Sequence, residues 1–79
     1  MNLEINNFFD AIVENVKIER KKRGISQLKL ASILDFQSPN YIAKIETRKH
    51  SVNYNLTHLY KIAIAFEMNI KELIPCIKK

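Results

Sequence analysis

Asn40, Tyr41 and Lys44 lie within one short segment, SPNYIAKIE (residues 38–46), with the apolar Ile42 and Ile45 set among them. On a helix the two isoleucines turn inward, leaving Ser38, Pro39, Asn40, Tyr41, Ala43 and Lys44 outside. That outer set suits the edges of base pairs. An Asn amide can pair bidentately with adenine, and a Lys can donate to guanine or to phosphate. A Tyr can lie on a thymine methyl or offer its hydroxyl to phosphate. Gln27, opening the preceding apolar segment, would aim its amide and a helix N-terminus at a backbone phosphate. Taken singly, each is equally an ordinary solvated polar residue; their coincidence with caps, a tight turn and a basic band gives them weight.

Catalytic chemistry has much thinner support. His50 and His58 stand eight apart with no carboxylate or Cys at ligand spacing, so no metal site is expected. Cys76, close to Lys78 and Lys79, reads as a surface or interface filler rather than a nucleophile. Gly24 is the only glycine, which rules out a Gly-rich phosphate loop. The expectation is a non-enzyme without cofactor or metal.

Positioning the outer set requires two short helices joined by a turn. Ser26 precedes Leu30, Ala31 and Leu34; Ser38 precedes Pro39 and then Ile42 and Ile45. A Ser N-cap satisfies orphan backbone N–H groups, and Pro is tolerated at the first helical position. Asp35-Phe36-Gln37 leaves room only for a turn, plugged by Phe36. Upstream, Phe9, Ile12, Val13, Val16 and Arg20 recur every three or four positions, which predicts an amphipathic helix over residues 7–23 ending at Gly24. Residues 1–6 show no clear cap and are expected to be loosely held, with Leu3 and Ile5 available to cover a core edge. Arg20 falls on the apolar stripe, where it demands a carboxylate. Glu46, following Ile42 and Ile45, is the expected partner, in a structural ion pair.

Downstream, residues 47–54 form a polar loop of the kind that often carries contacts. Arg48, Lys49 and His50 are its phosphate candidates, joined by Gln37 from the turn. Asn55 can cap a fourth helix with Leu56, Leu59, Ile62, Ala63 and Phe66 inward. Met68 points inward from a short connection. A fifth helix over residues 70–74 buries Ile70 and Leu73 before Pro75 stops it. The expected architecture is all-α, a single domain over residues 1–79 with its core at about 7–75.

The 79 residues carry a net charge of +5, unevenly. Between Lys17 and Lys49 nine basic residues face three acids, so this stretch is +6 and the remainder is −1. A basic band suits a polyanion, nucleic acid before an anionic membrane; ordinary solubility is the plainer reading. Arg20-Lys21-Lys22-Arg23 serves equally for capping the helix dipole and for phosphate contact. A 47% hydrophobic content is ample for a core, and scarce Gly and Pro favour helices over strands. The lone Cys, and the lack of a signal-like or membrane-length apolar run, lead to the expectation of a cytoplasmic protein.

From Ile12 to Ile74 the chain resembles the phage repressor/Cro-type (Xre-type) helix-turn-helix family. The likeness rests on Arg20, Gly24-Ile25-Ser26-Gln27, Leu30-Ala31, Tyr41-Ile42, Lys44-Ile45-Glu46, Leu59-Tyr60-Lys61-Ile62-Ala63 and Ile70-Lys71-Glu72-Leu73. It implies a five-helix, lambda-repressor-like DNA-binding domain. Gln27 and Ser38 would touch backbone, Pro39, Asn40 and Lys44 would occupy base-reading positions, and Arg20 would pair with Glu46. Three features depart from the family pattern. The turn is one residue longer, with Asp35 for the common Gly and Gln37 added; Thr47-Arg48 replaces a frequent Arg-Gly; and the next loop is about two residues longer. The longer turn could shift the reading register by one.

The expected function is sequence-specific binding of double-stranded DNA by a homodimeric transcriptional regulator, with residues 38–47 in the major groove. Such stand-alone domains resemble restriction-modification controllers, phage repressors and antitoxins. Ile74, Cys76 and Ile77 are the first dimer-interface candidates, with Phe8 or Leu56 as additions. The alternative is a protein-interaction module on the same fold, such as an antitoxin on its toxin; Leu28 and Ile33, on the outer face of the second helix, and Ile18 would serve it.

Overall fold

A computed structural model describes residues 3–77. Among them the order is α1 (Leu3–Lys22), α2 (Gln27–Ile33), α3 (Asn40–Thr47), α4 (Leu56–Phe66) and a single 3-10 turn, Ile70–Leu73, with no strand. The all-helical class agrees with expectation, but the fifth helix is only this turn. Asn69 caps it by accepting from the Lys71 N–H, and Pro75 holds Ile74 extended at φ −106°, ψ 123°. Four residues remain between those two constraints, enough for one turn. It is still well anchored: Leu73 is fully buried and its carbonyl accepts from Asn15 Nδ2 at 3.0 Å.

The first helix begins earlier than expected, at Leu3 rather than near residue 7. Glu4 in its first turn complements the positive end of the helix dipole. Residues 1 and 2, and the side chain of Leu3 with its expected cover of a core edge, lie outside the described residues; Ile5 is half exposed. Ile12, Val13, Val16 and Arg20 form the buried face of α1. The helix closes through Gly24 at φ +68°, where the Ile25 N–H reaches back to the Arg20 carbonyl at 3.0 Å.

α2 opens on Ser26, whose Oγ accepts from the Lys29 N–H at 3.0 Å. It closes through Asp35, left-handed at φ +63°, with the Phe36 N–H on the Ala31 carbonyl at 2.8 Å. Asp tolerates this conformation better than most residues, so it can stand where Gly would be usual. α3 follows at once. Ser38 Oγ accepts from the Asn40 N–H at 3.2 Å, and Pro39 already has helical angles (φ −71°, ψ −10°). α4 opens on a capping box: Asn55 accepts from the His58 N–H at 2.8 Å, and His58 Nδ1 accepts from the Asn55 N–H at 3.2 Å.

Val16, Leu30, Ile42, Ile45, Ile62 and Leu73 are fully buried where α1, α2, α3 and α4 converge. Each such side chain contributes roughly 1.5–3 kcal/mol, and together they fix how α3 is presented. Two apolar expectations fail. Leu56 is exposed rather than inward; each step of four residues rotates a helix by about 40°, so residues 56, 60 and 64 drift off the row formed by Leu59, Ile62, Ala63 and Phe66. Ile33 packs partly against the core instead of standing outside, whereas Leu28 and Ile18 are exposed. No helix among the described residues is long and apolar enough to cross a membrane.

Candidate nucleic-acid interface

The outer face of α3 is held in place from beneath. Ile42 and Ile45 lock into the core, which turns Asn40, Tyr41, Lys44 and Thr47 to solvent. Tyr41 is braced by Phe36, whose ring meets it edge-on at 4.6 Å and meets His58 on its other side at 5.1 Å. The Phe36 plug thus fixes the start of α3 as well as the turn. Asp35 adds an ion pair to Lys61 of α4 (2.8 Å), which holds its carboxyl below the usual range. Among the described residues, the Asn40, Tyr41 and Lys44 side chains make no hydrogen bond or ion pair within the chain.

The far end of α3 is pinned by Arg20. Its Nε and Nη2 donate to the two oxygens of Glu46 at 2.9 and 3.0 Å, and its Nη1 donates to the Ile25 carbonyl at 2.7 Å. The two side chains are only 8% and 5% exposed. Gln27 Nε2 donates to the same Glu46 at 2.9 Å. This alters the reading of Gln27, whose amide is directed at the ion pair and not outward at a phosphate. Tyr54 lies nearby with its hydroxyl buried and without a hydrogen-bond partner among the described residues; burial and then the Glu46 charge push its ionisation up, so it stays neutral.

Arg48 calls for a plainer correction. It takes the left-handed position that ends α3 (φ +57°) and spends its guanidinium inside the chain. Nε donates to Asp10 at 2.7 Å, Nη1 to the Val52 carbonyl at 2.7 Å, and Nη2 to Asn53 at 2.7 Å. With these groups committed, Arg48 is a clamp between α1 and the loop rather than a phosphate contact, and Asn53 is taken up with it. Lys49 and His50 remain exposed on the loop that this clamp shapes, and Gln37 stays exposed in the turn.

The basic band divides in the same way. Arg23 donates to Glu19 and to the Phe66 carbonyl, with its guanidinium 5.1 Å from the Phe66 ring centre; Lys22 also pairs with Glu19. These contacts hold the Glu19 carboxyl below its ordinary range, the Arg23 hydrogen bond first. Lys17, Lys21, Lys29, Lys44 and Lys49 have no carboxylate within 4 Å among the described residues. Lys17 and Lys21 line a groove with Gln27, Ala43, Glu46 and Thr47, directly beside α3. The sequence counted both in its basic band without placing them at the reading helix.

A helix-turn-helix unit braced at both ends, with unpaired lysines around its second helix, is the geometry on which the comparisons bear. The family model HTH_3, described as Helix-turn-helix, matches residues 16–73. The chain belongs to the HTH_3 family. This helix-turn-helix domain also shares its fold with a hypothetical transcription factor, NHTF, from Neisseria. The TM-score is 0.67 at 21% identity, over 89% of this chain and 78% of that one. No curated protein sequence matches it. Among the described residues of the HTH_3 domain, no cluster of His, Cys, Asp and Glu could hold a metal ion.

Proposed function

We propose that this chain is a sequence-specific double-stranded DNA-binding regulator that works as a homodimer with α3 in the major groove. The observation that carries this reading is the outer face of α3: Asn40, Tyr41 and Lys44 are without polar partners in the chain and sit on a rigidly braced helix beside unpaired lysines. Rigid elements with free polar ends are what base-edge recognition needs, because misplacement of a bidentate donor forfeits the contact. Asn40 and Lys44 read base edges, and Pro39 and Tyr41 contribute apolar contact. Ser38, Gln37, Lys49 and His50 approach the backbone around the helix start and the following loop, and Lys17 and Lys21 approach it across the α1 groove. Gln27 contributes indirectly, by holding Glu46.

Selection from a random duplex pool tests this. Enrichment of an inverted repeat with half-sites about 10 base pairs apart is the expected result; recovery of unenriched sequence at all protein concentrations would overturn it. The alternative, a protein-interaction module using the outer face of α2, loses support because Ile33 packs on the core, leaving Leu28 alone there.

A further inference from the structure

α4 presents a second apolar face. Leu56, Tyr60 and Ile64 are 73%, 63% and 62% exposed, in one row spanning about 12 Å of helix. Thr57 and Ala65 flank them, so every exposed position of α4 is uncharged. Its one charged residue, Lys61, is turned toward the α2–α3 turn and paired with Asp35. Single exposed apolar residues are ordinary, but a row of three large ones on a basic 79-residue chain is a contact surface.

We propose that the row Leu56–Tyr60–Ile64 is the surface on which a second copy of this chain docks, which supplies the pairing that the regulator reading requires. Charge favours that occupant. Two copies at +5 repel, and this is a large apolar face free of charge through which they can approach. The spacing favours it too. Leu56 and Ile64 stand four residues either side of Tyr60, so a two-fold axis at Tyr60 sets Leu56 of each copy on Ile64 of the other, as an isologous interface demands. The expected tail candidates fit less well: Ile74 is half-buried, and Ile77 lies over its own α1 beside Glu4, Ile5 and Phe8. Cys76 is exposed but borders the same groove. Five side chains fall short of the roughly 800 Å² per partner of a standard interface, so the free dimer is weak and concentration-dependent.

Sedimentation equilibrium of the DNA-free chain tests the surface. The native chain should show reversible monomer–dimer exchange. Tyr60→Lys, which puts two ammonium groups across the axis, should weaken it about tenfold or more at unchanged melting temperature. Leu56→Lys should weaken it as well, and Leu56→Lys with Ile64→Glu should restore it, because each Lys then meets the other copy's Glu. In a Cys76→Ser background, Tyr60→Cys should oxidise to a linked dimer and Leu28→Cys should not. Dimerisation indifferent to Tyr60→Lys, failure of the double variant to recover, or a native chain monomeric at all concentrations would overturn the surface. The two proposals fail separately. A monomer that still selects one duplex sequence sinks only the surface, whereas a Tyr60-dependent dimer with no sequence preference sinks only the regulator.

Discussion

Replacing Glu46 by Ala leaves Arg20 charged, about nine-tenths enclosed and stripped of two of its three acceptors. Breaking a buried pair by removing one partner costs about 3–5 kcal/mol, because the orphaned charge must be hydrated or displaced. A 79-residue domain has roughly 4–12 kcal/mol in total, so the loss takes a large share of it. At roughly 4–8 °C per kcal/mol for a domain this size, even 3 kcal/mol lowers the midpoint by about 12–24 °C. An exposed pair would cost about 1 kcal/mol or less. Circular-dichroism melts and urea titrations of the native chain, Glu46→Ala and the double variant Arg20→Met/Glu46→Leu separate the cases. The double variant should melt above Glu46→Ala, since two apolar groups leave no buried charge. A Glu46→Ala midpoint within about 4 °C of native would refute the burial reasoning. So would a double variant less stable than the single one.

Three further outcomes follow from particular residues. Glu67 ends α4 in the left-handed region at φ +55°, where a side chain costs about 1–2 kcal/mol; Glu67→Gly should raise the melting midpoint by a few degrees, and a decrease would show the strain to be absent. His58 has its pKa lowered from 6.5 by desolvation and then by Lys61, while its Nδ1 closes the capping box. The unfolded chain therefore takes up this proton first, and stability falls as pH drops from about 6.5 through the lower folded value. His58→Gln, which keeps the cap, should lose that part of the pH dependence, and an unaltered profile would contradict it. Arg48→Ala should lower stability through the lost clamp while leaving the salt dependence of DNA binding unchanged; a slope reduced by about one unit would make Arg48 a phosphate contact after all.

What was readable in the chain, and what was not, follows from how local each signal is. Ser26, Ser38 and Asn55 act within three residues of themselves, so sequence was enough to place them as caps. Arg20 and Glu46 are 26 apart, but both sit on apolar stripes, which is a conspicuous place for a charge. Arg48 had no such mark. Its partners are Asp10, 38 residues away, a loop Asn and backbone carbonyls, none of which leaves a periodic trace. Gln27 looked free because nothing in its own segment binds it; its acceptor arrives only when α3 packs. The same holds for Lys17 and Lys21, whose nearness to α3 is a product of the fold. Leu56 failed for a geometric reason, a four-residue step too far round the helix.

The central claim is that α3 reads bases while the lysines around it hold the backbone. The most direct measurement is affinity for a selected and a scrambled duplex as a function of salt, for the native chain, Asn40→Ala, Lys44→Ala and Lys17→Ala/Lys21→Ala. With about six phosphate contacts, the log–log slope of the native chain should lie near −5. Asn40→Ala and Lys44→Ala should narrow the gap between the two duplexes. The double lysine variant should weaken both alike and flatten the slope by about two units. A flat salt response, or an unchanged gap in Asn40→Ala and Lys44→Ala, would contradict it.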